Sequence, residues 1–437
     1  MRFPVNSDGR NVPYYPLKLT AVEDGWEAYN PVENAAYVFN AYAKHLLALC
    51  DGYNTLPEIV ATISTQYGLT PAACRDSVAA VLGPLTEAGM VWWRAQRAQP
   101  VQLLPPQSVF WELTWRCNLR CIHCVVSGGE READEPTTRE LKGIAWQLAR
   151  AGVRSVAYSG GEPLSRPDFF EIAEHVARLG MSAQLATNGL LVDEEAAARL
   201  ARLQISAQIT IGSVTPASHD AFTGVRGSWE KSMRAIRLLV AAGVPVTVAT
   251  IATTMSAPDV PAIVDLVAGM GVSTYRLIPF VPNGRGRQYR ELELSPQAMR
   301  QLTMLLRQVR ASGRIDVLPL EFEDVSASPP EYGCGPANHI GCDGAVNYCT
   351  IGTTGEVLPC SFFSGVEGDS LRDRPFEWIW ANSRFLNYFR SLNVSDLEGE
   401  CATCSHLAAC RGGCRATNHS IGALFNGNAH CWAASGG

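Results

Sequence analysis

Three cysteines lie close together in the stretch ELTWRCNLRCIHC, at Cys117, Cys121 and Cys124. Thiolates at this spacing can converge on an iron–sulfur cluster or on a zinc ion. Both kinds of site ordinarily take four ligands, and this stretch supplies only three cysteines. The loop therefore predicts either a cluster with one open iron or a zinc ion completed by a distant residue such as His123. The spacing favours the cluster.

A second group of cysteines lies toward the end of the chain. The block CATCSHLAACRGGC, Cys401 to Cys414, is followed by Cys431 and preceded by Cys342 and Cys360. Taken alone, the Cys-x2-Cys pair suggests a zinc ribbon. The region 321–437 has little continuous apolar pattern, so we expect bound metals to help it stay folded.

The elements that must position the first loop are strands and helices in regular alternation. Six apolar strands between residues 108 and 320 are separated by helices, which predicts a parallel sheet, either open and doubly wound or partly closed as a barrel. Functional residues collect at the carboxyl ends of such strands. Here the cysteine loop follows the first strand, Ser159 to Pro163 the second and Thr187 to Gly189 the third.

Two further regions precede this alternation. Residues 1–95 combine short strands with three helices in a winged-helix outline, in which we expect Cys50 and Cys74 to be buried. Residues 96–107, rich in Gln and Pro, predict a linker.

Composition excludes several classes of protein. The net charge is −6 and no basic run is present, so we expect no nucleic-acid partner. The uncharged stretch from Leu238 to Met255 is interrupted by Gly243 and Pro245, which predicts a helix followed by a buried strand and no membrane span. The amino terminus lacks a signal-peptide pattern, which predicts a cytoplasmic protein whose cysteines bind metals instead of forming disulfides.

The cysteine loop after the first strand and the Gly-Gly-Glu-Pro motif after the second closely resemble the radical S-adenosylmethionine (radical SAM) enzymes. The resemblance implies an α/β fold with a partial (β/α)6 TIM barrel. It also implies that S-adenosylmethionine chelates the open iron of a 4Fe–4S cluster. Reductive cleavage would then give a 5′-deoxyadenosyl radical that abstracts a hydrogen atom from the substrate.

The same resemblance implies a set of cosubstrate contacts. Glycine would let backbone carbonyls approach the methionine ammonium, and Glu162 would add negative charge. Arg285 would bind the cosubstrate carboxylate or simply cap a turn. The implied contacts are Gly160, Gly161, Glu162, Thr187, Asn188, Thr210 and Arg285. Two departures from the family are His123, where an aromatic residue is usual, and Gly212, where relatives carry a carboxylate.

The late cysteines resemble the SPASM extension, which implies two auxiliary 4Fe–4S clusters and so three in all. The resemblance assigns Cys342, Cys360, Cys414 and Cys334 to the first auxiliary cluster. It assigns Cys401, Cys404, Cys410 and Cys431 to the second. Cys349 has no place in this pattern and is a spare thiol, an alternative ligand or a substrate contact. The auxiliary clusters are expected to take electrons from a substrate radical.

The first region resembles the small peptide chaperone of pyrroloquinoline quinone biosynthesis, on Asn40, the Cys50-Asp51-Gly52 turn and the segment Leu85 to Gly89. That fold recurs in enzymes that modify ribosomally made peptides, where a leader peptide adds a strand to a sheet edge. A winged-helix DNA binder is the alternative, but no arginine-rich recognition helix is present.

The sequence therefore predicts a radical SAM oxidoreductase that matures a ribosomally synthesised peptide. A carbon–carbon or carbon–heteroatom cross-link, including a thioether, is the expected product, with a flavodoxin- or ferredoxin-type electron donor. The sequence identifies no catalytic base. The alternatives are a formylglycine-type sulfatase maturase, a peptide epimerase, a tetrapyrrole-modifying radical SAM enzyme and, from another class, a zinc-bound peptide-binding regulator.

Overall fold

The structure is a computed structural model and describes most of the chain. The described residues are 11–17, 19–30, 33, 35–95, 104–130, 134–318, 339–363, 366–420, 422–426 and 431. Cys334 and residues 96–103 of the predicted linker lie outside them.

The amino-terminal region contains five strands and three helices. In chain order these are β1 (Asn11–Tyr14), β2 (Thr20–Val22), β3 (Gly25–Asn30), β4 (Ala35–Phe39), α1 (Ala41–Leu49), α2 (Leu56–Tyr67), α3 (Pro71–Glu87) and β5 (Trp92–Ala95). Strands β2, β3 and β4 form an antiparallel sheet in that order, and β1 pairs with β5. The winged-helix outline is confirmed.

Local signals in the sequence explain where these helices begin and end. The Asn40 side chain accepts a hydrogen bond from the Ala43 N–H at 2.9 Å and so caps α1. Thr55 and Glu58 form a capping box at the start of α2, and Gly68 ends that helix in the left-handed region at φ 64°. The helices bury an apolar core that includes Cys50 and Cys74, as predicted.

Six parallel strands and the helices between them form the central region. The strands are β6 (Ser108–Thr114), β7 (Ser155–Gly160), β8 (Ser182–Thr187), β9 (Ser206–Thr210), β10 (Val246–Ala252) and β11 (Thr274–Pro279). The helices are α4 (Thr138–Arg150), α5 (Phe169–Arg178), α6 (Glu194–Arg202), α7 (Pro216–Thr223), α8 (Ser228–Ala241), α9 (Val260–Gly269) and α10 (Pro296–Ser312). The predicted alternation is confirmed. The apolar stretch from Leu238 to Met255 contributes the end of α8 and the whole of β10.

Alternation along each strand separates a core face from an interior face. On β7, Val156 and Tyr158 are fully buried, and the Tyr158 ring meets Phe169 of α5 edge to face at 5.4 Å. Ser159 instead faces the interior of the partial barrel, where it lines a cavity. The interior face therefore stays available for small and polar side chains.

The described part of this sheet has ten strands, more than the alternation predicts. Strand β12 (Asp316–Val317) adds parallel to β11, and β13 (Tyr348–Ile351) adds parallel to β6. Strands β14 (Glu356–Leu358) and β15 (Asp369–Ser370) then continue the sheet antiparallel. The cysteine-rich region therefore forms one sheet with the barrel.

The remaining elements form a helical region with an aromatic core. Its helices are α11 (Phe376–Asn382), α12 (Arg384–Ser391), α13 (Leu407–Cys410) and α14 (Arg415–Ser420). Phe363, Phe385 and Phe389 are almost fully buried and meet edge to face. This part of the chain thus has a packed apolar core in addition to its cysteines.

The amino-terminal region packs against this helical region. The Tyr14 ring stacks on Tyr388 with centroids 4.2 Å apart, and the Trp92 ring meets His419 at 5.2 Å. The Glu367 N–H donates to the Pro16 carbonyl at 2.7 Å. Burial of aromatic rings at both contacts holds the two regions together.

Among the helices that the structure describes, none combines the length and apolarity required to cross a lipid bilayer.

Candidate functional site

The carboxyl ends of the barrel strands open into a cavity of about 280 Å³, here called the loop cavity. Its lining brings together eight of the predicted site residues: Cys117, Cys121, Cys124, Gly160, Gly161, Thr187, Asn188 and Thr210. The strand topology explains this convergence, because parallel strands bring their carboxyl ends to one edge. Glu162 and Arg285 lie outside the lining.

Backbone hydrogen bonds hold the cysteine loop at both ends. The Cys117 N–H donates to the Gly129 carbonyl at 2.8 Å, and the Arg285 N–H donates to the Cys124 carbonyl at 2.9 Å. Two further N–H groups point at sulfur, from Leu119 to Cys117 at 3.5 Å and from Gly128 to Cys124 at 3.3 Å. N–H donors near thiolates stabilise the anionic form that metal binding requires.

The Gly-Gly motif has a packing role that the sequence did not indicate. A Cβ on Gly160 would lie 2.4 Å from the Thr114 carbonyl oxygen, and a Cβ on Gly161 would lie 2.3 Å from the Arg116 carbonyl oxygen. Gly160 also has a φ of 118°, which disfavours other residues. The glycines therefore let the β7 turn pack directly on the backbone that leads into the cysteine loop.

Glu162 positions the third strand end instead of facing the cavity. It is fully buried, and its carboxylate accepts hydrogen bonds from Leu164 N–H at 3.1 Å, Thr187 Oγ1 at 2.8 Å and Asn188 N–H at 2.7 Å. Burial raises the pKa of Glu162 to about 7, against the effect of these donors. Asn188 in turn directs its Nδ2 toward the Cys117 sulfur at 3.9 Å. Glu162 thus fixes two residues that line the cavity.

Arg285 clamps the cysteine loop. Its two terminal nitrogens donate to the Cys121 carbonyl and the Gly128 carbonyl, each at 2.9 Å. Of the two roles considered for Arg285, the structure shows a capping contact, made to the loop and not to a turn of its own segment. The guanidinium does not line the loop cavity.

The two departures from the family pattern meet at one aromatic ring. The His123 ring stacks on Phe222 with centroids 4.1 Å apart, and a Cβ on Gly212 would lie only 2.7 Å from the Phe222 ring. The Gly212 N–H donates to His219 Nδ1 at 3.2 Å. Burial lowers the pKa of His123 to about 3 and that of His219 to about 4, so both rings are neutral at pH 7.

A buried ion cluster supports the loop from outside. The Glu135 carboxylate accepts from Thr114 Oγ1 at 2.9 Å and from the Trp115 N–H at 2.7 Å, where β6 enters the loop. Arg166 lies 3.7 Å from Glu135 and pairs with Asp168 at 2.8 Å. Sequence reasoning missed this cluster, since its members lie far apart in the chain.

An inner cavity of about 280 Å³ continues the loop cavity into the barrel. The two share Ser159, Gln208 and Phe362 among their walls. Cys360 and Cys414 line the inner cavity. Two of the cysteines predicted for the first auxiliary cluster therefore line the cavity that adjoins the one lined by the first loop.

The other late cysteines also come together in space. Cys401, Cys404 and Cys431 lie close enough to Cys410 to act on its charge. Arg415 is fully buried between the two predicted sets of ligands. Its cysteine neighbours are Cys414, Cys401, Cys342 and Cys410. The Arg415 guanidinium thus lies beside cysteines of both predicted auxiliary clusters.

Cys349 stands apart from both groups. It lies on β13 opposite Val109 of β6 and is fully buried. Burial raises the pKa of the Cys349 thiol to about 12, which keeps the thiol protonated. This environment agrees with a spare thiol, the first of the three roles considered.

The donors of the cysteine loop suit an iron–sulfur cluster. Within the described ranges, no three His, Cys, Asp or Glu side chains are close enough to hold one metal ion. The thiolates of a cubane bind different irons and so stand farther apart than the ligands of one zinc ion. The donors in the loop, all sulfur and open to the cavity on one side, fit an iron–sulfur cluster.

Sequence reasoning assigned no role to one residue of the cavity wall, Glu112. It lies on β6, is 7% exposed and lines the loop cavity. A lone charge in the apolar strand VFWELTW was the available signal, because a buried carboxylate is costly unless it has a purpose.

Comparison with known proteins places the chain in a family. Three family models match: the radical SAM superfamily over residues 111–267, coenzyme PQQ synthesis protein D (PqqD) over 26–91, and the iron–sulfur cluster-binding SPASM domain over 342–405.

Curated relatives match over most of the chain. Mycofactocin maturase MftC of Mycobacterium tuberculosis is 31% identical over 74% of this chain and 81% of its own. AdoMet-dependent heme synthase of Methanosarcina barkeri is 30% identical over 71% of this chain and 91% of its own. PqqA peptide cyclase of Gluconobacter oxydans is 28% identical over 71% and 86%. The chain therefore belongs to the radical SAM superfamily.

Within that superfamily it is an enzyme that combines a PqqD-type region with a SPASM domain. The solved structure of Streptococcus suis SuiB bound to S-adenosylmethionine has a TM-score of 0.62 at 14% identity, over 96% of this chain and all of SuiB (100%). SuiB bound to its precursor peptide SuiA gives the same TM-score of 0.62. At this identity the likeness shows a shared fold.

Proposed function

We propose that this enzyme matures a ribosomally synthesised peptide by forming a cross-link within it. The observation that carries the proposal is the position of the PqqD-type region, which packs on the SPASM domain through Tyr14 and Tyr388. A peptide held there would have its following residues near the barrel. Radical chemistry and peptide recognition would then act on the same molecule.

The leader peptide would bind along β4. Among the described residues β4 pairs only with β3, and Val38 on β4 is 61% exposed. An extended peptide can add to such an edge through main-chain hydrogen bonds, while exposed side chains supply specificity. The opposite edge, β2, is only three residues long.

The loop cavity would hold the first cluster and its cosubstrate. Cys117, Cys121 and Cys124 would bind a 4Fe–4S cluster, and S-adenosylmethionine bound to it would supply the radical that removes a hydrogen atom. The lining residues Thr187, Asn188 and Thr210 would orient the cosubstrate, with the Gly160–Gly161 backbone beside them. Glu162 and Arg285 would act indirectly, by holding the strand end and the loop.

Two auxiliary clusters would complete the reaction. Cys342, Cys360 and Cys414, with Cys334 as the fourth ligand, would hold one cluster beside the inner cavity. Cys401, Cys404, Cys410 and Cys431 would hold the other. A cross-linking reaction removes a hydrogen atom, then an electron and a proton. The continuity of the two cavities supports electron transfer to the nearer auxiliary cluster.

The enzyme would take its reducing electrons from an external flavodoxin- or ferredoxin-type protein in the cytoplasm. A cross-link between carbon atoms or between carbon and a heteroatom, including a thioether, is the proposed product.

Anaerobic purification and turnover test this function. Iron, sulfide and zinc are counted first, and a colourless, zinc-only protein would reject the proposal. Synthetic peptides encoded by short neighbouring reading frames are then incubated with reduced enzyme and S-adenosylmethionine, and mass spectrometry follows. A product two hydrogens lighter with a new bond in its fragmentation pattern is the expected result.

Other outcomes identify the alternatives. An unchanged mass with one deuterium from solvent indicates epimerisation. Conversion of a cysteine to formylglycine indicates a sulfatase-type maturase. Turnover of a porphyrin in place of any peptide indicates a tetrapyrrole-modifying enzyme, as the similarity to heme synthase would allow.

A further inference from the structure

Glu112 lies in the wall of the loop cavity, where the proposed function puts the reaction. It is on β6, the strand that leads into the cysteine loop, and its side chain lines the loop cavity. Alternation along the strand places it on the interior face, while Trp111 and Leu113 are fully buried on the other face. The carboxylate therefore faces the same space as the three cysteines.

Among the described residues that line the loop cavity, Glu112 is the only carboxylate. The other titratable groups there are the three cysteines of the loop, His123 and His219. The cysteines are the proposed cluster ligands, and His123 belongs to their loop with its ring stacked on Phe222. The three cysteines are thus committed to holding the cluster.

His219 cannot accept a proton without losing a contact. Its Nδ1 already accepts the Gly212 N–H, which leaves the proton of the neutral ring on Nε2. Both ring nitrogens are therefore occupied. Among the described residues of the cavity wall, Glu112 is therefore the carboxylate that can accept a proton.

Glu112 also borders a second space, an outer cavity of about 620 Å³ that shares Glu112, Val126 and Ser361 with the loop cavity. The Ser361 hydroxyl is a hydrogen-bonding neighbour of Glu112, and Glu356 is its like-charged neighbour. The other charged residues of the outer cavity are Asp134, Glu367 and Asp373. Polar groups of the outer cavity therefore lie next to Glu112. They offer a route by which a proton can leave Glu112.

We propose that Glu112 is the base that takes the proton lost by the peptide when the cross-link closes. The inference rests on the proposed function. In that reaction the peptide first gives up one hydrogen atom. The new bond then forms between the carbon radical and a second group that carries a hydrogen. One electron would pass to an oxidised iron–sulfur cluster, and one proton would pass to a carboxylate oxygen of Glu112. The peptide becomes two hydrogens lighter, and Glu112 becomes a carboxylic acid.

The surroundings of the Glu112 carboxyl group suit this proton transfer. Burial, opposed by the Ser361 hydroxyl and assisted by Glu356, raises the pKa of Glu112 to about 7. A base is most effective when its pKa is near the working pH.

The test replaces Glu112 by Gln and by Asp in the reconstituted enzyme, with the peptide that the wild type modifies. General bases typically contribute 10²- to 10⁴-fold, so Glu112→Gln should form cross-linked product at least about 100-fold more slowly. Deuterium from a labelled peptide should still pass into 5′-deoxyadenosine, and peptide affinity measured by fluorescence anisotropy should be unchanged. Glu112→Asp should recover part of the rate. In the wild type, kcat should rise with pH through about 7, and this limb should vanish in Glu112→Gln.

Glu174→Gln is the control for loss of a carboxylate, because Glu174 lies on α5, pairs with Arg199 at 2.9 Å and does not line the loop cavity. It should keep the wild-type ratio of product to 5′-deoxyadenosine and the wild-type pH profile. A Glu112→Gln enzyme with the wild-type ratio and profile would overturn the proposal. Should Glu112→Gln fail to bind iron, a wild-type kcat that does not change between pH 6 and pH 8 would overturn it equally.

A readout without turnover separates this inference from the proposed function. Burial raises the pKa of both Glu112 and Glu162 to about 7, so infrared difference spectra between pH 6 and pH 8 should show two titrating carboxyl bands in the wild type and only one in Glu112→Gln. Two such bands in Glu112→Gln would count against Glu112. A wild-type enzyme that modifies no peptide would instead reject the proposed function.

Discussion

The His123 ring stacks on Phe222 at 4.1 Å, and Phe222 in turn packs over Gly212. The two positions at which this chain departs from its relatives are therefore in contact through one ring. An aspartate at position 212 would place its Cβ 2.7 Å from the Phe222 ring, which is too close for van der Waals contact, so the usual carboxylate requires the stacked ring to move.

Gly212→Asp should consequently displace Phe222 and His123. Overpacking of this kind costs about 1–3 kcal/mol, and the displaced ring should disturb the cosubstrate pocket. We expect a lower melting temperature and at least tenfold slower cleavage of S-adenosylmethionine, measured as 5′-deoxyadenosine. Phe222→Ala in the same chain should restore part of both. If the double variant is as impaired as the sum of the single variants, the ring does not couple the two positions.

Glu162 should contribute to stability and to cosubstrate binding through the three hydrogen bonds that its carboxylate accepts. Glu162→Ala would leave buried Thr187 and Asn188 groups without an acceptor, at about 1–3 kcal/mol each. Urea denaturation should show a loss of about 3 kcal/mol or more, and equilibrium dialysis should show weaker S-adenosylmethionine binding. Glu162→Gln, which keeps one acceptor oxygen, should lie between the wild type and Glu162→Ala. Equal stability of all three proteins would contradict the positioning role.

Glu112 should make stability depend on pH. The pKa of Glu112 is raised from 4.5 to about 7 in the folded chain. Between these two pH values the folded state therefore keeps the Glu112 proton, whereas the unfolded state has lost it. The contribution of Glu112 to stability is therefore fully present below pH 4.5 and is lost as the pH rises through 7. Glu112→Gln removes the cost of burying the ionised carboxylate. Relative to the wild type, its free energy of unfolding should be higher by roughly 1 kcal/mol at pH 5.5 and roughly 3 kcal/mol at pH 8. Chemical denaturation at the two pH values measures the difference, and a gain independent of pH would disprove the raised pKa.

The Cys349→Ala and Cys404→Ala variants should differ in iron content. Cys404 lies with Cys410, Cys401 and Cys431, whereas Cys349 lies in the core of β13. Cys404→Ala should lose about four irons per chain, one whole cluster, in a ferrozine assay. Cys349→Ala should keep the wild-type iron content and lose only packing. Iron loss in Cys349→Ala would make Cys349 a ligand instead of a spare thiol.

The two edges of the amino-terminal sheet should respond differently to a charge. Val38→Asp on β4 should weaken binding of the precursor peptide at least tenfold, because it places a carboxylate in the proposed leader contact. Val22→Asp is the matched control, since Val22 is an exposed valine on the opposite edge strand, β2. Fluorescence anisotropy with the labelled precursor measures both. Equal losses would place the leader elsewhere.

Much of the site could be predicted from sequence because its signals are local. The three cysteines and Gly160–Gly161 lie within short motifs at strand ends, and parallel strands must bring those ends together. The indirect roles of Glu162 and Arg285 could not be predicted, because they depend on which backbone groups lie opposite them in space. The same limit explains why Phe222 was missed. It reaches His123 only through the fold of α7.

The addition of β13 to the barrel sheet could not be predicted from the sequence either. Strand β13 is only four residues long and lies in a stretch dominated by Cys and Gly. Nothing in its pattern distinguishes an added barrel strand from an irregular segment. Its pairing with β6 depends on long-range contacts.

This pairing has a consequence for how the chain folds. Since β13 covers the edge of β6, a fragment that ends before residue 339 would expose an unpaired strand beside the cysteine loop and would be prone to aggregate. The barrel and the SPASM domain share one hydrogen-bonded sheet, so we expect them to unfold together, in a single calorimetric transition. Evolution could not exchange the SPASM domain as an independent module without rebuilding the edge of the barrel.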